Sequence, residues 1–233
     1  MLHVSDLDVS YGSAQALFGL SLEAAEGEVV ALLGRNGAGK TTALEAIMGL
    51  VPAAAGKVTF QERSIRSRAA ETVARRGIAY VPADRRIFAE LSVRDNLKIA
   101  RQGRRRGVPA WNLKIIFQLF PDLAKQRARR GGELGGGEQK TLALARALMG
   151  NPRLVLIDEP SEGLGPATAE EMADTINFLK EEKLTVVMAE QNLHFAGVVA
   201  DRAYVIDNGR LALQGNMEDL LSDEKKWVRY LAR

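Results

Sequence analysis

The stretch Glu28-Val29-Val30-Ala31-Leu32-Leu33-Gly34-Arg35-Asn36-Gly37-Ala38-Gly39-Lys40-Thr41-Thr42 decides how this chain folds. An apolar run breaks into glycines, and the periodic segment Ala43 to Leu50 follows at once. The spacing is Gly34, four residues, then Gly39-Lys40-Thr41. A strand that stops in glycines and restarts as a helix is the context a phosphate-binding loop needs. Glycines let successive backbone N–H groups turn inward, and the new helix aims its positive end at the same anion. Lys40 would then neutralise β- and γ-phosphates, and the Thr41 hydroxyl would hold Mg²⁺. A plain turn requires neither lysine nor threonine after its last glycine, so the stretch points to a nucleoside triphosphate. Which reaction follows is not written in it.

The chain has 233 residues, 46% of them hydrophobic, enough to bury one substantial core with a smaller satellite, so one domain with subdomains is expected. No apolar stretch approaches the roughly 18 to 20 residues that cross a bilayer, and Met1 to Asp6 lacks a charged segment followed by an apolar one; the chain is expected to be soluble and unprocessed. With no cysteine, disulfides and thiolate metal sites are excluded. His3 and His194 are isolated and lack ligand spacing. The net charge of +3 is slight, and the pairs Arg75-Arg76, Arg85-Arg86 and Arg129-Arg130, with Arg104-Arg105-Arg106, read as solvated faces.

Along the chain, Leu2 to Ala24 reads as short strands joined by turns around Tyr11-Gly12. Tyr11 is equally consistent with half-buried strand packing and with stacking on an adenine ring. Val51 to Gly56 reads as a turn, Lys57 to Phe60 as a strand, Ser67 to Arg76 as a helix, and Gly77 to Val81 as a buried strand stopped by Pro82. Ser92-Val93-Arg94-Asp95 is a helix start with serine as cap, and the pattern from there to Arg130 is helical and strand-poor. A second glycine cluster, Leu134-Gly135-Gly136-Gly137-Glu138-Gln139, opens a helix expected over Lys140 to Met149 and forms a second anion seat. One triphosphate needs only one such seat, unless the second serves another subunit's nucleotide. Arg153 to Ile157 reads as a strand buried on both faces, ending in Asp158-Glu159 where parallel sheets bind ligands. Asp158 is placed to hold Mg²⁺ through water, and Glu159 to accept a proton from an attacking water. Leu184 to Ala189 is a further strand, the pair Ala203 to Asp207 and Leu211 to Leu213 flanks the hairpin turn Asn208-Gly209, and short helices are expected over Met217 to Leu221 and Lys225 to Leu231.

With these motifs in this order, the chain resembles an ATP-binding cassette subunit from Tyr11 to its closing helices. Val81-Pro82, Arg85 to Phe88, Ser161 to Pro166 and Glu190-Gln191-Asn192 look most like the LivF-type ATPase of branched-chain amino acid importers. The resemblance implies an α/β P-loop NTPase with a RecA-like core, an N-terminal antiparallel β subdomain and an inserted α-helical subdomain. Residues 1–90 and 150–233 would form the core with the β subdomain, and 91–149 the helical part. Tyr11 would be the adenine-stacking aromatic; Gly34, Arg35, Asn36, Gly37, Ala38, Gly39, Lys40, Thr41 and Thr42 the phosphate loop; Gly135, Gly136, Gly137 and Glu138 the signature. Thr41 and Asp158 would hold Mg²⁺, while Glu159, Lys40 and Gln191 would act on ATP, and Ser161 to Leu164 would run along a dimer interface. The implied partners are a second cassette subunit, identical or not, paired head to tail, and membrane-spanning permease subunits, with a solute-binding protein engaged indirectly and no nucleic acid. The implied location is peripheral, on the cytoplasmic face of the inner membrane.

Three positions depart from the cassette pattern: Ala83 where a glutamine is usual, Gln191 where a histidine is usual, and Gly135 where a serine is usual. LivF-like chains share the first two departures. The lost hydroxyl at Gly135 removes a hydrogen bond to a charged phosphate worth roughly 1.5 to 3 kcal/mol, equivalent to about ten- to a hundredfold in rate if made only in the transition state. An asymmetric pair of ATP sites would follow. Competing readings are an importer ATPase for urea, amides or other amino acids; a soluble cassette ATPase acting on ribosomes or DNA, for which one cassette leaves no room; and a non-catalytic ATP sensor, against which Lys40, Asp158 and Glu159 stand.

Overall fold

The computed structural model describes residues 1–222 together with Trp227 and Tyr230. Two long antiparallel strands, β1 (Leu2–Tyr11) and β2 (Ala14–Ala24), open the chain. Strand β3 (Val29–Leu33) enters a central sheet and α1 (Lys40–Met48) leaves it. Strands β4 (Ala53–Phe60) and β5 (Arg63–Ser64) rejoin the first sheet, whose order is β2-β1-β4-β5. Then come α2 (Ala70–Arg75), β6 (Ile78–Val81), the helices α3 (Val93–Ile99), α4 (Leu113–Leu119) and α5 (Pro121–Lys125), and the longer α6 (Gly136–Leu148). The remainder alternates: β7 (Leu154–Asp158), α7 (Pro166–Glu181), β8 (Thr185–Glu190), α8 (Leu193–Val199), the hairpin β9 (Arg202–Asp207) and β10 (Arg210–Asn216), and α9 (Met217–Ser222). The central sheet runs β10-β9-β3-β8-β7-β6, parallel except for β10.

Every residue of β3, β7 and β8 is buried, as a parallel strand covered on two faces must be. Their side chains divide by the period of two. Val29, Ala31 and Leu33 join Val155, Ile157, Val186 and Met188 in one core with α6, α7 and α8, whereas Val30 and Leu32 join Leu156, Val187 and Ala189 in another with α1 and the smaller sheet. Because β6, β7, β8, β3 and β9 run parallel, all five end at one edge. That edge therefore receives Gly34, Val81, Asp158, Glu190 and Asp207, the place where open α/β sheets bind ligands.

Helices α3 to α5 are held to the rest by buried amides rather than by β pairing. Asn96, fully buried, donates to the carbonyls of Phe88, Leu91 and Ser92 and accepts from Phe88 N–H. Asn151 accepts from Trp111 N–H at 2.8 Å and donates to Gln102 O at 3.0 Å. Ser92 caps α3 by accepting from Asp95 N–H, as its position before Val93 predicts.

Local boundaries depart from the sequence expectations in four places. The first strands are not short: β1 and β2 pair from Leu2↔Ala24 to Tyr11↔Ala14, with bulges absorbing the register. Strand β4 begins at Ala53, where a turn was expected, because Ala53 and Ala55 pair with Val9 and Asp8 of β1. Helix α2 begins only at Ala70, since Ser67 sits at φ 57, in the left-handed region. Helix α6 begins at Gly136 instead of Lys140, so two of the three glycines form its first turn. The hairpin at Asn208-Gly209 and the helix after Asn216 stand where expected, while the closing helix over Lys225 to Leu231 lies outside the described residues apart from Trp227 and Tyr230.

Two contacts fix the smaller sheet to the central one. Gly39, at the start of α1, holds φ 109, and a Cβ there would lie 2.7 Å from Leu17 Cδ2 of β2 and 3.3 Å from Ala16 O. Arg202 of β9 grips Glu28 with two hydrogen bonds of 2.8 Å and reaches Glu23 of β2 at 3.1 Å, its guanidinium 5.7 Å from the Tyr204 ring centroid. The hydrogen bond from Arg202 holds the Glu23 carboxyl below the usual carboxylate range. A carboxyl lowered in the folded state contributes stability above its unfolded pKa and loses it as pH falls through the folded value. Arg202→Leu should therefore destabilise the fold by about 1 to 2 kcal/mol at pH 7, after discounting Glu23 for its exposure, and the melting difference from the parent should narrow below about pH 4. Gly39→Ala should lower the melting temperature as well, by at least the roughly 1 to 2 kcal/mol that an L residue loses in the left-handed region. Thermal unfolding followed by circular dichroism at pH 3.5 and pH 7 measures both effects.

Candidate functional site

The loop between β3 and α1 wraps around the end of the Lys40 side chain. Gly34 has no room for a side chain, because a Cβ there would collide with the Ile206 carbonyl oxygen. The Lys40 ammonium, 4% exposed, donates to Gly34 O at 2.8 Å and Arg35 O at 3.1 Å and lies 3.8 Å from Glu159 Oε1. Burial lowers its pKa, with Glu159 and Asp158 pulling the other way. Asn36, Gly37, Gly39, Lys40, Thr41, Thr42 and Glu159 line one cleft of about 400 Å³ together with Phe18 and Asn208-Gly209. Tyr11 stands beside that cleft, half exposed, with its hydroxyl 3.4 Å from Thr42 Oγ1 and 3.3 Å from Glu45 Oε2. Arg35 and Ala38 belong to the same turn, where Ala38 N–H donates to Arg35 O.

At the end of β7 the two carboxylates divide. Asp158 is buried and accepts from the Thr41 hydroxyl at 3.1 Å and the Tyr80 hydroxyl at 3.3 Å. Burial raises its pKa against the pull of those bonds, and burial beside Asp158 raises that of Tyr80. Glu159 turns the other way, at φ 50, and takes the Gln191 side-chain amide at 2.9 Å. The Thr41 hydroxyl and the Asp158 carboxylate are hard oxygen donors within reach of one ion. No group of three or more His, Cys, Asp or Glu side chains suited to a metal occurs among the described residues. A donor set this small suits Mg²⁺, which keeps waters and completes its shell with phosphate oxygens.

The second glycine cluster opens onto a different hollow. Gly135, Gly137 and Glu138 line a groove of about 720 Å³ with Phe120, Met172 and Phe178, and none of its lining residues borders the Lys40 cleft. Gly136 faces the Arg85 guanidinium instead. Glu138 accepts from Gly135 N–H at 2.7 Å, half of a capping box whose other half would need a side chain that glycine lacks. One anion-ready backbone donor is thus already engaged.

Several groups around the cleft have roles that the sequence motifs do not assign. Glu190, fully buried, gathers the N–H groups of Ser161, Gln191 and Asn192 and so ties the loop after β7 to the end of β8. Lys140, buried on α6, donates to Glu159 O and Glu162 O. Phe18 lines the Lys40 cleft, and the Tyr80 hydroxyl donates to Asp158 from the end of β6. Glu190 and Tyr80 carried a signal, since each falls in a strand directed at the ligand edge; Lys140 and Phe18 carried none.

Residues 17–162 match the family model described as ABC transporter. Over 231 residues the chain is 38% identical to the high-affinity branched-chain amino acid transport ATP-binding protein BraG of Pseudomonas aeruginosa, covering 99% of each. It is 34% identical to a probable branched-chain amino acid transport ATP-binding protein LivF of Archaeoglobus fulgidus, covering 97% of this chain and 96% of that one. The lipopolysaccharide export system ATP-binding protein LptB of Escherichia coli K12 is 33% identical, over 96% of this chain and 93% of its own. Among solved structures, the ADP conformation of an ATP-binding cassette of an ABC transporter superposes with a TM-score of 0.84 at 26% identity, covering 100% of this chain and 99% of that one. Cleft, sheet edge, family model and relatives agree, and the chain belongs to the ABC transporter family.

Proposed function

We propose that this chain is the ATP-hydrolysing subunit of an importer for branched-chain amino acids. The observation that carries the reading is the convergence of Lys40, Thr41, Asp158 and Glu159, drawn from two strand ends, on one cleft at the carboxyl edge of the sheet. The β3–α1 loop binds the triphosphate through backbone N–H groups, Lys40 exchanges its loop carbonyls for β- and γ-phosphate oxygens, and Tyr11 lies against the base. Thr41 and Asp158 would hold Mg²⁺, which when bound would neutralise charge developing on the phosphates. Glu159 takes a proton from water as its oxygen attacks the γ-phosphorus; the bond to the bridging oxygen breaks, giving ADP and inorganic phosphate. Gln191 orients Glu159, for an amide can donate but cannot itself serve as the base.

The amino acid specificity rests on likeness to BraG and LivF, which exceeds the likeness to LptB by 38 and 34 to 33% identity. Residues 91–149 form the helical part that bears Gly135 to Glu138. A second cassette, identical or not, lays its ATP against those residues, and permease subunits hold the pair at the cytoplasmic face of the membrane. No helix of the described residues is long and apolar enough to cross a membrane.

Two outcomes are expected. Glu159→Gln should retain ATP binding within about threefold while hydrolysis falls at least a hundredfold, in line with loss of a general base; nucleotide titration and phosphate release measure the two separately. Cells lacking this chain should lose most uptake of labelled leucine, isoleucine and valine, and the parent gene but not the Glu159→Gln form should restore it. Undiminished uptake would remove the substrate assignment while leaving the ATPase reading intact.

A further inference from the structure

Lys140 is a buried cation that the nucleotide reading leaves without a task. It sits on the second turn of α6, 4% exposed, where methionine or leucine would pack with no charge to desolvate. Its ammonium donates to Glu159 O at 2.5 Å and to Glu162 O at 2.7 Å. Burial lowers its pKa, although Glu162, Glu190 and Glu159 favour the charged form.

Those two carbonyls bracket the turn that carries the carboxylate. Glu159 is a non-glycine residue in the left-handed region, a conformation that lasts only where its surroundings over-determine it. Three elements do so. Glu159 N–H donates to Ala189 O of β8 at 2.9 Å, the Gln191 amide holds its carboxylate at 2.9 Å, and Lys140 of α6 holds its carbonyl. Only the third reaches across from the helix that begins at Gly136, and Lys140 is the sole side chain doing so among the described residues' hydrogen bonds to Glu159 O and Glu162 O.

We infer that Lys140 is a positioning residue for hydrolysis: it locks the strained turn so that the Glu159 carboxylate faces the Lys40 cleft, and it joins that turn rigidly to the glycine end of α6. The inference rests on Glu159 acting as the base. Its reach is wider than one site, because the end of α6 to which the turn is tied is the one proposed to meet a neighbour's nucleotide.

The test is single-turnover hydrolysis of labelled ATP by the full-length chain, with ATP affinity measured in parallel. Lys140→Met keeps length and apolar stem but cannot donate. The rate should fall about ten- to a hundredfold, the scale of a misplaced catalytic group, with ATP affinity within about twofold of the parent. Lys140→Arg, which can serve the two carbonyls, should recover most of the rate. A parental rate in Lys140→Met overturns the inference; so does affinity falling in step with rate, or an arginine form as slow as the methionine form. Should Lys140→Met not fold, Lys140→Leu, which likewise cannot donate, carries the same split, a slower rate at parental affinity supporting the inference and a parental rate ending it. Glu159→Gln separates this from the base assignment. If it abolishes turnover while Lys140→Met does not, only the inference about Lys140 fails; if it leaves turnover intact, the base assignment fails and the inference with it.

Discussion

The Lys40 ammonium lies between two loop carbonyls and 3.8 Å from Glu159, inside a group of charges that the protein interior would ordinarily refuse. Lys40 and Lys140 are its cations; Asp158, Glu159, Glu162 and Glu190 surround them. For Lys40, Lys140 and Asp158, burial outweighs the attraction of neighbours, and each is pushed toward its neutral form. The neighbouring Glu159 carboxylate, by hydrogen bonding and by repulsion, raises the pKa of Glu162. Hydrogen bonds offset that cost: backbone carbonyls receive both ammonium groups, backbone N–H groups meet Glu190, the Thr41 and Tyr80 hydroxyls meet Asp158, and the Gln191 amide meets Glu159.

That placement is possible because five parallel strands finish at one edge. A carboxylate at the end of β7 and another at the end of β8 come from segments far apart in sequence, yet their strands are neighbours and their ends align through the register Asp158↔Ala189. Glu190 then spends its carboxylate on three backbone N–H groups, so the loop carrying Ser161 cannot shift without disturbing the end of β8. The two cores on either face of the sheet, with β3, β7 and β8 wholly buried, supply the rigidity that makes such alignment repeatable.

Much of this was legible in the residues. Gly34 to Thr41 revealed its loop because glycine is needed where the backbone is tight and lysine where phosphate charge is met, and the buried run before Asp158-Glu159 could only be a covered strand. What stayed hidden depends on contacts across the fold. The motifs assign Thr41 and Asp158 to one ion, but the direct hydrogen bond between them, across 117 positions, is a contact that only the fold makes. Lys140 looked like an ordinary helix residue after three glycines, because its partners are backbone carbonyls and leave no trace in side-chain pattern. The start of α6 was misplaced for a related reason: glycine disfavours a helix interior by about 1 kcal/mol, yet at a first turn the cap from Glu138 and packing against Thr168 and Leu164 outweigh that preference.

The two glycine-rich helix ends are unequal as anion seats, and the inequality has a physical origin. The first turn of α1 carries no acidic side chain and holds a buried lysine. The first turn of α6 carries Glu138, whose carboxylate sits 2.7 Å from Gly135 N–H and is steadied from outside by Gln126. A glutamate there stabilises the helix through its dipole, but it also puts negative charge where a phosphate would have to come, and glycine at position 135 offers no hydroxyl in return. The Arg85 guanidinium faces Gly136 in the same turn. By these charges a triphosphate would be held more strongly at the α1 end than at the α6 end, and the Lys140 contact to the turn at Glu159 ties the two ends together within this chain.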